Sequence, residues 1–257
     1  MMIKKLKMNI KKIKFLHFII FLMIFIFNGC ATIVYKTIPL RNIAKAKGPY
    51  FVGTQNFQFV DASRKMWFSD DIKGSRKLSV KMWYPTDNIT SLKKAPYLNK
   101  HKLIGSAISK LFGIPEALMD RAGGVKCNSW LNAVPANGKF PIIIYSHGHQ
   151  SIKIANTSQA EEMASNGYIV VAMDHSYDAA LTILDEDKII YSRSKLPAND
   201  EEALQDSMIL RVKNQLKIRT EDVSFVIDEL KVMFEKDKRF SQVADFDKIG
   251  IFGHSFG

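Results

Sequence analysis

Gly253-His254-Ser255-Phe256-Gly257 reads G-x-S-x-G and follows directly on the apolar run Ile249-Gly250-Ile251-Phe252. A serine in that setting is a nucleophile for acyl transfer. The motif places it on a sharp strand-to-helix turn, where glycine two residues to either side lets neighbouring backbone come close. Ester hydrolysis further needs a base to take the serine proton and donors for the charge that builds on the carbonyl oxygen. The backbone N–H of Phe256 is one such donor, and that of His149, in the Ser146-His147-Gly148-His149 loop, is the other. Each is typically worth ~2.7–4 kcal/mol of transition-state stabilisation.

The base is harder to place. Hydrolases with this elbow carry nucleophile, acid and histidine in that chain order, which puts the acid and the histidine beyond Gly257. The expectation is that the sequence holds the amino-terminal part of an enzyme, inactive in these 257 residues alone. Of the six histidines, His17 is in the leader, His101 in an insertion and His254 beside the nucleophile. His147, His149 and His175 follow strand-like runs, and are expected to shape the site and hydrogen-bond its loops rather than act as base.

The elements that must position these residues alternate strand and helix. Phe51-Val52-Gly53-Thr54 and Phe57 to Asp61 have the aromatic and β-branched content of a first strand, with a turn at Asp70-Asp71 and Gly74-Ser75. Leu78 to Tyr84 alternates apolar and polar up to Pro85, which predicts a strand with one wet face or an edge position. Ile104, Ile108, Leu111 and Phe112 fall at helical spacing and Pro115 opens a second short helix; the pair is read as ordinary packing, with a lid or membrane-docking face as the alternative. Pro141 to Tyr145 and Tyr168 to Met173 are continuous apolar runs, as in parallel strands buried on both faces. Between them Ser158 and Glu161 form an S-x-x-E capping box, and Asn166-Gly167 ends the helix. Leu181 to Tyr191 reads as a small hairpin. Asp200 to Lys236 lacks Pro and Gly, and Val223, Val226, Ile227, Leu230, Met233 and Phe234 mark one helix face.

This places the chain in the α/β class, with the site at the carboxyl ends of the strands. No zinc-ligand spacing or phosphate-binding glycine loop is present, so neither metal nor cofactor is expected. The formal charge of +12 does not argue for a nucleic-acid partner, because six lysines before Cys30 carry half of it with no acid among them. They precede Phe15 to Phe27, a run broken only by His17 and shorter than a bilayer span, which favours a signal-peptide core over the alternative of an uncleaved membrane helix. Gly29-Cys30 then resembles the lipobox of bacterial lipoproteins, with simple cleavage near Cys30 and no lipid as the alternative. The expected division is a lipoprotein-type signal over 1–30 with lipid on Cys30, a tether over 31–48 read as a solvated linker, and a partial hydrolase domain over 49–257. The protein is thus expected to be exported and held at a bacterial envelope membrane. Cys127 is expected to be a buried small hydrophobe without a catalytic role.

The stretches KLSVKMWYPT, APYL, FPIIIYSHG, AEEMASNGYIVVAMDHSYDA, IRTEDVSFVIDEL and DKIGIFGHSFG, in this order, resemble the secreted-type platelet-activating-factor acetylhydrolases and their bacterial esterase relatives. The resemblance implies an α/β-hydrolase fold with a mostly parallel sheet, of which the amino-terminal part is present. It also implies a calcium-independent serine hydrolase removing short acyl groups from phospholipids, with Ser255 as nucleophile and the N–H groups of His149 and Phe256 as oxyanion donors. The alternatives are a broad carboxylesterase of the dienelactone-hydrolase type and a non-catalytic envelope lipoprotein.

Overall fold

In the computed structural model residues 43–68, 71–193 and 201–257 are described; the leader, Cys30, Asp70 and the first part of the tether lie outside them. Among these residues the chain runs β1 (Phe51–Lys65), β2 (Ser75–Thr86), β3 (Lys94–Pro96), α1 (His101–Phe112), α2 (Glu116–Ala122), β4 (Lys126–Leu131), β5 (Phe140–Ser146), α3 (Thr157–Ser165), β6 (Ile169–Asp174), β7 (Leu181–Ile183), β8 (Ile189–Tyr191), α4 (Glu201–Lys236) and β9 (Ala244–Gly253). Seven strands form one sheet in the order β3-β4-β1-β2-β6-β5-β9, and β7 pairs with β8 as the separate hairpin.

The apolar runs of β5 and β6 pair in parallel, and β9 adds in parallel on the other side of β5. Ser146 is level with Met173 on β6 and with Gly253 on β9. The loops that follow these three strands therefore emerge side by side at their carboxyl ends. β2 runs antiparallel to β6 and to β1, which completes a mixed sheet.

Helices cover both faces. On one, Val226, Leu230 and Phe234 of α4 pack on Val80, Met82, Ile142, Ile144 and Val171. Each fully buried side chain of this kind contributes about 1.5–3 kcal/mol, so the regular stripe on α4 fixes that helix against the sheet. On the other face Ala160 and Ala164 of α3 lie against Trp83, Tyr145, Val170 and Ala172. Ile104 of α1 packs with Leu98 and Ile154, whereas Leu111 and Phe112 at its end are exposed. No helix of the described residues is long and apolar enough to cross a membrane.

Three local expectations are corrected. β2 is neither wet nor at an edge: it lies between β1 and β6, continues through Pro85 opposite Val52, and buries Lys81. Proline is tolerated there because β6 pairing stops at Trp83, leaving no ladder bond on that side for Pro85 to lack. The capping box does not form, for α3 begins after Asn156 with no side-chain cap. Glu161 instead turns inward, and its carboxylate accepts the β4 N–H groups of Asn128 (3.0 Å) and Ser129 (2.9 Å). Nor is the described end of the tether a free linker. Ile43 N donates to Lys126 O, Lys47 N to Glu162 Oε2 and Gly48 N to Ser165 Oγ, which ties the segment to β4 and α3.

Candidate active site

Ser255 stands just past the end of β9 with φ of 58°, the left-handed region that costs a serine about 1–3 kcal/mol. The turn is as tight as the motif demands. A Cβ on Gly253 would lie 2.2 Å from Gly257 O, and one on Gly257 would lie 2.0 Å from Ser146 O. Strain and close approach together push the serine outward, and it is solvent-exposed. The His147-Gly148-His149 loop abuts it, since a Cβ on Gly148 would stand 3.0 Å from His254 O and 3.3 Å from Ser255 Cβ. The two loops expected to carry oxyanion donors, those of His149 and Phe256, are thus brought together. The His149 imidazole is exposed, edge-on to the Phe256 ring, with Nδ1 3.8 Å from Asp178 Oδ1. Among the described residues no imidazole or carboxylate is hydrogen-bonded to the Ser255 hydroxyl.

Beneath the elbow lies a polar network that the sequence reading did not foresee. Asp222 of α4, fully buried, accepts from Arg76 Nε (2.9 Å) and Nη2 (2.6 Å) and from Arg64 Nη1 (3.0 Å). It also receives His175 Nδ1–H at 2.9 Å, which fixes the tautomer and leaves Nε2 to accept the Ser146 hydroxyl at 3.1 Å. Arg219, one turn earlier on α4, donates to His147 O (2.5 Å), Ser146 Oγ (3.4 Å), Phe256 O (3.4 Å) and Asp178 Oδ2 (2.6 Å), and its guanidinium lies under the Phe256 ring. A single side chain thereby grips the carbonyls of both loops that carry the expected oxyanion donors.

The charges of this network are set by burial and by its arginines. Burial would raise the Asp222 carboxyl, but Arg76 and then His175 hold it well below the usual carboxylate range. Burial holds His175 below the ordinary histidine value, and Asp222, already engaged by two arginines, does not offset it. His147 is held well below by burial and then by the neighbouring His175 and Arg219. Its Nδ1–H donates to Gly148 O at 2.7 Å and Nε2 accepts the His175 N–H at 3.2 Å. The expectation that His147 and His175 tie the loops together is met by these bonds.

Ser146, His175 and Asp222 have the hydrogen-bond order of a hydrolytic triad, yet His175 and Asp222 are fully buried and Ser146 nearly so. Their bonds knit α4 to the carboxyl ends of β5 and β6. A signal for it was present in the sequence: Gln215, Arg219 and Asp222 continue the apolar stripe of Val226 and Leu230 at helical spacing, and all five are buried. Cys127 is buried, and burial followed by Glu161 raises its thiol to about 12, the inert state expected of it. Among the described residues no group of His, Cys, Asp or Glu is arranged to hold a metal ion.

The family model described as platelet-activating factor acetylhydrolase, isoform II, matches residues 36–257. The chain is 24% identical over 244 residues to a platelet-activating factor acetylhydrolase of Gallus gallus, covering 84% of this chain and 54% of that protein. The corresponding protein of Bos taurus is 25% identical over 240 residues, with 84% and 50% covered. A probable 1-alkyl-2-acetylglycerophosphocholine esterase of Arthroderma benhamiae is 25% identical over 121 residues, 47% of this chain and 26% of that one. Among solved structures, a ferulic acid esterase from Streptomyces cinnamoneus superposes with a TM-score of 0.63 at 26% identity, covering 84% of this chain and 55% of that chain. The chain therefore spans about half the length of the vertebrate relatives it matches. Its fold is that of the α/β hydrolases.

Proposed function

The chain belongs to the platelet-activating factor acetylhydrolase isoform II family, and from that premise we propose that it is the elbow-bearing part of a serine ester hydrolase acting on short acyl groups of phospholipids. The observation that carries this is the exposed Ser255 at φ 58°, held against the Gly148 loop. In the proposed reaction the Ser255 hydroxyl attacks the ester carbonyl, and the N–H groups of His149 and Phe256 receive the oxyanion. The alcohol leaves, and water then releases the acid from the acyl-serine. The serine is activated, on this reading, by an acid and a histidine of the kind that elbow hydrolases use. Arg219 supports the site from below by fixing the His147 and Phe256 carbonyls.

The substrate class is tested on the intact gene product by comparing 2-acetyl phosphatidylcholine with p-nitrophenyl acetate. Preference for the phospholipid supports the reading. Turnover of the p-nitrophenyl ester alone assigns the broad carboxylesterase instead, a reading that the similarity to a ferulic acid esterase favours. The same proposal includes export and lipid attachment at Cys30, for which the support is the basic leader and the Gly29-Cys30 pair. Radiolabelled palmitate incorporation that persists in Cys30→Ala would refute the anchor.

A further inference from the structure

A cavity of about 330 Å³ opens on the sheet face that α3 shares, two strands away from the elbow. Its walls come from β1, β2, β7, α1 and the segment around Ile154, and neither Ser255 nor residues 147–150 contribute to it. Much of the lining is apolar, with Ile104, Ile154, Leu181 and Ile183 prominent. Into it reaches Lys81, whose side chain stands on the same side of β2 as Trp83 and is only 2% exposed. Its ammonium lies 5.0 Å from the Trp83 ring centroid, and among the described residues nothing accepts a hydrogen bond from it.

The other charges that line the space are occupied. Lys153 donates to Ser79 Oγ (3.0 Å) and to Asp174 Oδ2 (2.5 Å), Lys100 pairs with Asp187, and Asp185 accepts from Gln58. Glu161, which acts on Lys81 from α3, has its oxygens held by Asn128 and Ser129. Lys81 is thus a buried cation without a bonded anion, and burial pushes its ammonium below the ordinary lysine value. Such a group is costly unless something pairs with it. Beside it lies empty apolar volume of the size that ligand pockets have.

We infer that this cavity binds a medium-chain monocarboxylate, its carboxylate on Lys81 and its alkyl tail among Ile104, Ile154, Leu181 and Ile183. A single negative charge suits the site, because the Lys100 and Lys153 charges are already paired and Asp185 on the same lining repels a phosphate dianion. The inference does not depend on the chemistry proposed for Ser255.

The test is calorimetric titration of the intact protein with sodium octanoate and with 1-octanol. Octanoate is expected to bind at one site at least tenfold more tightly than the alcohol. Lys81→Met, which keeps the apolar stem and removes the charge, should weaken octanoate at least tenfold and leave 1-octanol unchanged. Ile104→Trp fills the cavity from α1, outside the sheet, and should weaken both. Octanoate binding no tighter than that of the alcohol, or octanoate binding unchanged in either variant, overturns the proposal.

Discussion

Ser146 and Ser255 leave adjacent parallel strands, β5 and β9, and their surroundings are opposite. Ser146 has a histidine on its hydroxyl and an aspartate behind that histidine, all of it buried. Ser255 is exposed on a strained turn and has no such partner among the described residues. On the function proposed for Ser255, hydrogen-bond order alone does not make a nucleophile. Access and the outward thrust of a left-handed serine decide where a carbonyl can be attacked, while the same residue types under a low-dielectric cover serve as a clamp. The clamp works on the elbow through Arg219, which bonds to both the His147 and the Phe256 carbonyls.

The comparison breaks most visibly at Ser255. Ser255→Ala in the intact gene product should lower ester turnover by about 10⁴-fold or more, measured as kcat on the preferred ester. Next is Asp222→Asn, which leaves Arg76 and Arg64 beside a neutral group and should cost about 3–5 kcal/mol in urea unfolding. Arg219→Met should lower kcat by about 10²–10³-fold, the range for losing one oxyanion donor, with KM little changed. A rise in KM alongside the fall in kcat, together with a large loss of stability, would make Arg219 a packing residue only.

Acidification sharpens the contrast without a mutation. His147 and His175 are neutral in the fold because their pKa values are lowered, so their contribution to stability is full above the unfolded value of about 6.5 and is lost as pH falls below it. Asp222, lowered as well, contributes fully above about 3.9 and loses that contribution as pH falls further. Urea midpoints should therefore drop between pH 7.5 and 5.5; a flat profile over that span contradicts neutral buried histidines. The smallest effect is expected from Ser146→Ala, which removes one hydroxyl from the network and should cost about 1–2 kcal/mol in urea unfolding while retaining most activity.

Much of this architecture was legible before the structure. Gly253, Ser255 and Gly257 announced the elbow because a tight turn leaves few residue choices. Continuous apolar runs announced β5 and β6, and the α4 stripe announced its buried face. What stayed hidden was polar burial. Lys81 read as the wet side of an alternating strand, and Glu161 as a capping residue, because charged residues are seldom fully buried and short-range patterns assign them to solvent or helix ends. Arg76, His175, Arg219 and Asp222 meet only through tertiary contacts spanning up to 146 residues, as between Arg76 and Asp222. No local pattern encodes such a meeting, although the helical spacing of Arg219 and Asp222 with Val226 marked their side of α4.

The most direct test of the central claim is fluorophosphonate labelling of the intact gene product, followed by mapping of the modified peptide. The account predicts a single adduct on Ser255 that disappears in Ser255→Ala and persists in Ser146→Ala. An adduct on Ser146, or no adduct on a folded intact protein, would contradict it.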